Sequence, residues 1–422
     1  MIPRATPVRS IAILGTRGIP AHYGGFETFA DELSTRLVQR GIEVTVFCES
    51  DTPRRPKTYR GVRLEFVETP RLGSLTTVLY DVRCLWRARK RFDVVYMLGY
   101  GASALCWLPR LFGTEVWINM DGIEWAREKY NWIGKAYLRT MEGFAMHTPT
   151  RLVADAAAVK TALAQRYRRM PPCDVIAYGA PALHERPDPS LLAEWGLKPK
   201  GYHIVVCRFE PENHVTEIIE GYSASKSPLP LIVLGDHTQP TDYVQRIRAV
   251  ASRDPRVRLI GTVYEQDRLQ ALRYHSVAYL HGHSVGGTNP SLLEALGCGN
   301  VVIAHDNVFN REVGSDAALY FKQSSELPAL LESVEAETGL QRQLSRRAVA
   351  RVEARYTWER IVGQYLELLG HTQHVSPEHP DSQPKTASAV AGDGPLPIPP
   401  HAGDGHSTQE PVLVTTPERS GQ

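Results

Sequence analysis

Short runs of apolar and β-branched residues alternate along the chain with stretches in which apolar residues recur every three or four positions. The first run, Ser10–Leu14, predicts a buried strand, and the helical spacing that follows extends from Phe26 to Leu37. Such alternation of β and α segments predicts a parallel sheet covered by helices on both faces. The other predicted strands of this first half are Val44–Phe47, Val94–Met97, Val116–Ile118, Leu152–Val153 and Val175–Ala177.

The same pattern begins again after a polar, proline-rich connection at residues 179–200. The predicted fold class is therefore α/β, with two Rossmann-like, doubly wound parallel-sheet domains that face a cleft. Ligands of such sheets bind beyond the carboxyl ends of the strands, so the loops at those ends are expected to carry the chemistry. The predicted strands of the second half are Ile204–Cys207, Leu231–Leu234, Val257–Ile260, Val277–Leu280 and Val301–Ala304.

The alternating pattern and the change in composition near the end divide the chain into four predicted regions. We predict an N-terminal domain over residues 1–178, a C-terminal domain over residues 179–355 and a final helical segment over residues 356–370. The last segment belongs to a predicted helix at Val349–Leu369. Residues 371–422 are dense in Pro, Ser, Thr, Gly and His, and they cannot bury enough apolar surface to offset the entropy of ordering. We therefore predict a disordered tail.

Composition narrows the class of protein. The six cysteines are scattered and form no C-x-x-C pair, which is typical of free thiols in a reducing compartment. No secretory signal is predicted at the amino terminus, and nowhere do about 20 apolar residues run together. The sequence predicts a cytoplasmic protein that at most rests on the inner face of a membrane.

Charge is unevenly distributed between the two halves. Residues 1–180 contain 26 Lys and Arg against 17 Asp and Glu, a balance of +9, although the whole chain carries only +2. The first half is therefore expected to meet something anionic, such as membrane lipid, a lipid-diphosphate acceptor or nucleic acid. Because no platform of aromatic and basic residues accompanies the charge, nucleic acid is not expected as a partner.

The first candidate loop follows the first predicted strand and contains Gly15–Pro20 and Tyr23–Glu27. A glycine-rich turn between a strand and a helix lets backbone amides approach a phosphate, which makes Gly24 and Gly25 candidates. The dinucleotide fingerprint G-x-G-x-x-G and the P-loop are both absent, which argues against a dehydrogenase or an ATPase. The alternative is a tight turn that only requires positive φ.

The second candidate loop is His281–Gly299, after the strand predicted at Val277–Leu280. Asn289 suits a helix N-cap and Pro290 the first helical position, so a short helix is predicted to begin there. Glycines ahead of a helix N-terminus form an anion cradle.

Glu294 on this short helix requires a partner. It lies too far past the N-cap for a capping box, and ribose hydroxyls would serve its carboxylate as hydrogen-bond donors. Exposure to solvent or a pair with a basic neighbour is the alternative. The third loop contains Arg208 at the end of a predicted strand, where its planar guanidinium could bind a diphosphate. An ordinary surface arginine is the alternative there.

Together these loops resemble glycosyltransferase family 4, the retaining enzymes of GT-B fold. Gly15–Leu37 resembles the G-G-x-E loop and helix of that family, Val205–Arg208 its V-G-R segment, and Ser284–Gly299 its E-x7-E segment ending in L-E-A-x-x-x-G. The first loop and Asn119–Trp125 more narrowly resemble a bacterial subgroup that contains rhamnosyltransferases of cell-wall and capsule polysaccharide assembly. The resemblance covers residues 8–370.

The resemblance implies a GT-B fold whose last helix crosses back to the first domain. It implies transfer of a sugar, with rhamnose as one candidate, from a dTDP- or UDP-sugar to a glycan or lipid-linked acceptor, with retention, in cell-surface polysaccharide synthesis. The first domain would take the acceptor and the second the nucleotide sugar. No cofactor is implied, and because no Asp-x-Asp pair stands in a metal-binding context, no metal is expected.

Site residues also follow from the resemblance. Arg208 would bind the donor diphosphate, Glu294 the ribose, and Val263 would lie beside the base. The implied catalytic residues are Arg208 and Asp121. The implied donor-binding residues are Gly24, Gly25, Arg208, Asn213, Val263, Gly286, Gly287, Thr288, Asn289 and Glu294.

Three positions depart from the family pattern. The first glutamate of E-x7-E is Gly286, the usual phosphate-binding lysine is Asn213, and the histidine that often faces the donor sugar is Asp121. These changes leave open a catalytically silent nucleotide-sugar-binding protein of the same fold. A sugar-nucleotide epimerase or a dinucleotide enzyme is a further alternative.

The segment Leu75–Arg91 bears on a membrane partner. Its apolar residues from Leu75 to Trp86 are predicted to form one helical face, and five basic residues of the segment add positive charge: Arg83, Arg87, Arg89, Lys90 and Arg91. An amphipathic helix of this kind fits a peripheral contact with an anionic membrane surface. An ordinary helix on the sheet, with a solvated basic edge, fits equally.

Overall fold

The computed structural model describes residues 8–21, 24–49, 56–70 and 75–370. The predicted tail at residues 371–422 and Tyr23 of the first glycine-rich loop lie outside the described residues. The described residues form two β-sheets, and helices cover both faces of each sheet.

The first lobe is built on eight described strands in the order β3-β4-β2-β1-β5-β6-β7-β8, all parallel except the short β3. Its strands are β1 (Ser10–Leu14), β2 (Glu43–Glu49), β3 (Thr58–Tyr59), β4 (Val62–Val67), β5 (Val94–Leu98), β6 (Glu115–Met120), β7 (Arg151–Ala154) and β8 (Cys173–Val175). Its helices are α1 (Gly25–Gln39), α2 (Leu75–Ala88), α3 (Trp132–Ala145) and α4 (Ala157–Arg166).

The second lobe is built on six parallel strands in the order β11-β10-β9-β12-β13-β14. Its strands are β9 (His203–Val206), β10 (Leu231–Leu234), β11 (Val257–Gly261), β12 (Ala278–His281), β13 (Val301–His305) and β14 (Ala318–Phe321). The helices that follow are α5 (Val215–Ser223), α6 (Asp242–Ala251), α7 (Gln266–His275), α8 (Pro290–Gly297), α9 (Val308–Gly314), α10 (Leu327–Ala336), α11 (Thr338–Arg355) and α12 (Trp358–Leu368).

Buried apolar runs explain why these segments form the sheets. Every residue of β5 and β10 is buried, as expected for strands covered on both faces. Helix α1 buries Phe29, Leu33 and Leu37 at the predicted helical spacing. The α/β architecture with two doubly wound sheets is confirmed.

The last helix returns to the first lobe, as predicted. The hydroxyls of Tyr365 in α12 and Tyr96 in β5 lie 2.7 Å apart, and the amide of Val8 donates to the carbonyl of Leu369. The Phe29 ring of α1 lies 5.9 Å from the Tyr365 ring. Packing of α12 on α1 therefore ties the end of the described chain to the first sheet.

Several predicted boundaries are wrong. The helix predicted at Val349–Leu369 is interrupted, because the hydroxyl of Thr357 caps α12 by accepting from the amide of Arg360. The strand predicted at Val175–Ala177 lies at Cys173–Val175 instead. Three strands, β3, β4 and β14, have no counterpart among the predicted runs. Strand β3 has only two residues, and the middle residues of β4 and β14 are partly or fully exposed, so the apolar signal along these strands is weak.

Candidate functional site

The crevice between the two lobes is lined by loops at the carboxyl edges of both sheets. In the first sheet the chain proceeds from β1 to β2 on one side and returns to β5 on the other, so the loops after β1 and β5 diverge. The second sheet repeats this arrangement at β9 and β12. Such switch points are where open α/β sheets bind ligands. The three loops singled out in the sequence follow β1, β9 and β12.

The lobes touch across the crevice through glycines. A Cβ placed on Gly122, which follows β6, would lie 2.8 Å from the Cα of Gly286. A Cβ on Gly25 would lie 3.5 Å from Cγ of Pro290, so α1 and α8 begin beside each other. Two helix N-termini in one crevice form a region of positive potential suited to an anion.

Gly24 occupies the N-cap position of α1 and offers no side chain to the first turn. Its φ of 124° is a conformation that favours glycine, and no described atom lies within 4 Å of a Cβ built on it. The first turn of α1 is therefore approachable from the crevice. Gly24 and Gly25 lie where a donor phosphate is expected, and their contact with a donor stays a prediction.

Asp155 is a cleft residue that the sequence analysis does not single out. It directly follows β7 and is fully buried, and its Oδ2 accepts from the amide of Thr288 at 2.8 Å. The hydroxyl of Thr288 donates to the carbonyl of Asp155. Burial raises the pKa of Asp155 well above its usual range, and the nearby Asp121 raises it further. The sequence feature that could have pointed to Asp155 as a site residue is its position directly after a strand.

The side chains of Thr288 and Asn289 make structural bonds. Thr288 is 3% exposed and holds Asp155, while Asn289 caps α8 by accepting from the amide of Ser291 at 3.0 Å. The predicted N-cap and the predicted start of α8 at Pro290 are confirmed. Whether either residue also contacts a donor stays a prediction.

Arg208 lies just beyond the carboxyl end of β9, and its side chain is exposed. Among the described residues its guanidinium has neither an ion pair nor a hydrogen bond. Asn213 is buried and donates its Nδ2 to the carbonyl of Arg208 at 2.7 Å. Asn213 thus fixes the backbone that presents Arg208, and its predicted contact with a donor stays a prediction.

Asp121 follows β6 on the opposite wall. Its Oδ1 accepts from the hydroxyl of Tyr178 at 3.1 Å, and its Oδ2 lies 3.8 Å from Nη2 of Arg127. The same Arg127 nitrogen lies 2.6 Å from Glu124. Arg127 therefore anchors the acidic side chains of this wall, and the sequence analysis gave it no role.

Glu294 and Val263 occupy the second lobe. The Oε2 of Glu294 lies 2.6 Å from Nη2 of the buried Arg273, so the alternative of a basic neighbour is observed. Contact with a ribose stays a prediction. Val263 follows β11 and packs partly buried against the core, close to the turn at Gly261. A Cβ on Gly261 would lie 3.6 Å from Cε1 of His237.

Four histidines lie at the carboxyl edge of the second sheet. The rings of His281 and His283 stack at 4.3 Å, and those of His214 and His305 stack at 4.9 Å. Burial lowers the pKa of His281 to about 3, and His305 adds repulsion. Burial also lowers the pKa of His283. These two rings are therefore neutral near pH 7, and the sequence analysis gave them no role.

Two family models match the chain. Residues 8–181 match the model described as Domain of unknown function (DUF1972), and residues 229–367 match the model described as Glycosyl transferase-like. No protein of curated function matches the sequence. The second match covers most of the lobe that contains α8 and Glu294.

Solved structures show the same architecture. Sucrose-phosphate synthase from Thermosynechococcus elongatus superposes with a TM-score of 0.72 at 16% identity, covering 85% of this chain and 98% of that one. HepE of Anabaena, in complex with UDP-glucose, has a TM-score of 0.70 at 17% identity, covering 86% and 99%. A glycosyltransferase from Rickettsia africae has a TM-score of 0.66 at 13% identity, covering 85% and 97%. The chain has the GT-B fold of these glycosyltransferase structures.

Proposed function

We propose that this chain is a glycosyltransferase that moves a sugar from a nucleoside-diphosphate donor onto a carbohydrate acceptor. The observation that carries the proposal is the convergence of the α1 and α8 N-termini at the switch points of two facing sheets, with Arg208 at the edge of the second. This arrangement suits a diphosphate because backbone amides and a guanidinium can surround it. The HepE structure of the same fold holds UDP-glucose, which supports a nucleotide sugar as the ligand.

The chemistry follows from the leaving group. Cleavage of the donor passes through an oxocarbenium-like state while negative charge grows on the departing diphosphate. Arg208 and the amides of the two first helical turns would stabilise that charge. Among the described residues, no three His, Cys, Asp or Glu side chains are grouped to hold a metal ion. We assign the stabilisation of the leaving group to Arg208 and the helical amides. Full activity in EDTA is expected, and an absolute need for Mg²⁺ or Mn²⁺ would contradict the assignment.

Asp121 is proposed to face the transferring sugar. It lies on the first-lobe wall beside Gly122, which meets the second-lobe loop at Gly286. Its carboxylate would oppose the positive charge of the oxocarbenium-like state. We propose same-face attack by the acceptor, with retention, in which Asp121 stabilises charge and forms no covalent bond. Asp121→Asn should lower kcat more than it raises KM, and an unchanged kcat would remove Asp121 from the mechanism.

The decisive test is Arg208→Ala. Loss of one pre-aimed donor to a developing anion typically lowers the rate about 10²–10³-fold, and we expect a loss of that size in turnover. The matched control is Arg248→Ala, an exposed arginine of α6 in the same lobe. Turnover is measured with dTDP-, UDP- and GDP-sugars, dTDP-rhamnose included. Wild-type turnover in Arg208→Ala would refute the proposal, and failure to transfer or hydrolyse any donor would favour a silent binding protein.

The acceptor is proposed to be a glycan or a lipid-linked sugar, with the first lobe resting on an anionic membrane. Helix α2 buries Tyr80, Cys84 and Leu85 in the first lobe, whereas Trp86, on the predicted apolar face, is 56% exposed. The guanidinium of Arg89 lies 3.8 Å from the centre of the Trp86 ring. Exposed aromatic rings beside cations suit a lipid headgroup region.

This surface continues beyond α2. The ammonium of Lys90 lies 4.4 Å from the ring centre of the exposed Phe112. Both precede strands of the first sheet, so the patch lies at the amino edge, away from the crevice. Among the described residues no helix is long and apolar enough to cross a membrane. Flotation with anionic vesicles at low salt tests the contact, and its absence would remove the membrane from the proposal.

A further inference from the structure

The segment at residues 121–130, after β6, belongs to the first lobe and lies against two loops of the second lobe, the one after β9 and the one after β12. Gly122 leaves no room for a side chain beside Gly286. Five residues later, Nη1 of Arg127 lies 4.0 Å from Oε1 of Glu212, a carboxylate that is 2% exposed and directly follows the Arg208 turn. This segment therefore forms the wall opposite Arg208.

Two cations of the segment differ in how they are compensated. Arg127 lies among the acidic groups Glu124, Asp121 and Glu212 and is largely buried, which makes it part of the wall. Lys129 is exposed, and among the described residues its ammonium makes no ion pair. Its nearest ring contact is Tyr130, with the ring centre 5.0 Å away. Lys129 is thus a free cation next to a neutralised one.

Lys129 and Arg208 come from opposite lobes and act on each other. Desolvation by the surrounding protein lowers the pKa of Lys129, and the positive charges of Arg127 and Arg208 lower it further, while Glu124 and Glu210 oppose the shift. The Arg127–Glu212 pair brings the wall that bears Lys129 against the loop that bears Arg208, so the two cations lie on facing walls of one crevice. Two cations that have no carboxylate ion pair and lie on facing walls favour an anion between them. The ligand charge that such a pair favours is that of a diphosphate, since each of its phosphates can take one cation.

We propose that Lys129 is the second cation of the donor diphosphate subsite, supplied by the first lobe. This inference rests on the proposed function and deepens it. The second lobe presents Arg208 there, while Asn213 is buried and holds the Arg208 backbone. A nucleoside diphosphate would then be bound by both lobes at once, so donor affinity would depend on the crevice being closed. Lys129 acts on the diphosphate and has no part in recognising the base.

Calorimetry with UDP, dTDP and GDP, and with the monophosphates UMP, dTMP and GMP, tests the proposal on the full chain. Lys129→Gln should weaken binding of the preferred diphosphate about 10-fold, since a charge-assisted hydrogen bond is lost. Binding of the matching monophosphate should change far less. Lys129→Arg should restore most of the affinity. The control is Lys160→Gln, the same change at an exposed lysine of α4, and it should bind as the wild type does.

Each outcome bears on one claim. If Lys129→Gln binds the diphosphate within about 2-fold of the wild type while Arg208→Ala binds it weakly, Lys129 is not in the subsite and the proposed function stands. An equal loss of diphosphate and monophosphate affinity in Lys129→Gln also overturns the inference, because the effect is then general. If the wild type binds no nucleoside diphosphate, the proposed function fails first.

Discussion

The loop after β1 and the loop after β12 are both rich in glycine, but their glycines meet different neighbours. In the first loop, Gly15 and Gly18 are pressed against their own lobe: a Cβ on Gly15 would lie 2.2 Å from the carbonyl oxygen of Leu98. In the second loop, a Cβ on Gly287 would lie 1.9 Å from Oδ1 of Asp155, across the crevice. One loop needs glycine so that its sheet can form, and the other so that the lobes can meet.

Each loop also contains a glycine with open space around it. No described atom lies within 4 Å of a Cβ built on Gly24 or on Gly286. Both have positive φ, 124° and 148°. The glycines of these two loops thus meet three different physical requirements: packing within a lobe, packing between lobes and access to the crevice. Substitutions of single glycines can separate these requirements.

The largest effect on stability is expected from Gly15→Ala. Its methyl group would meet the Leu98 backbone in the adjacent strand, and φ is +83°, so overpacking and left-handed strain add to a loss of about 3 kcal/mol or more. Urea unfolding followed by circular dichroism measures it. Gly41→Ala is the control, because its φ of +84° is similar and no described atom is close; about 1 kcal/mol is expected there. Equal losses would show that strain alone matters.

A loss of about 2 kcal/mol is expected from Gly287→Ala, because the fully buried Asp155 carboxylate cannot move aside without breaking its bond to Thr288. The clash lies between lobes, so Asp155→Ala should relieve part of it. A double-mutant cycle on unfolding free energy should give a coupling of about 1 kcal/mol or more. Additive losses would mean that the two residues do not meet in solution.

The third expected effect is a change in the pH dependence of stability. Because the pKa of Asp155 is raised in the folded state, that state holds its proton above the pH at which the unfolded chain releases it. Stability therefore falls as pH rises from the unfolded pKa towards the folded one, by at most about 1.4 kcal/mol per pH unit. Asp155→Asn should lack this contribution and gain on the wild type as pH rises above about 4. Parallel stability profiles would contradict the raised pKa.

Much of the fold follows from local pattern. The strands of both sheet centres are continuous apolar runs, and α1 and α8 show helical spacing and capping residues, so each element is determined within its own segment. The strands β4 and β14 are only partly buried and carry a weaker signal. The interruption at Thr357 depends on a cap that apolar spacing does not reveal.

The candidate site divides in the same way. Arg208, Asp121 and Glu294 could be singled out because they lie in loops or a helix directly after strands. The bonds of Asn213 and Thr288 could not be predicted in this way. Asn213 folds back onto the carbonyl of Arg208, five residues earlier, in a turn that no apolar pattern reveals, and Thr288 binds Asp155, which belongs to the other lobe.

The sequence by itself determined that two doubly wound sheets form and which loops lie at their carboxyl edges, because periodicity and caps act over a few residues. Only the tertiary structure decided which side chains face each other: Asp155 with Thr288, Arg127 with Glu212, and the wall that bears Lys129 with the one that bears Arg208. Such pairs depend on how two separately folded sheets meet, and no local pattern records that geometry.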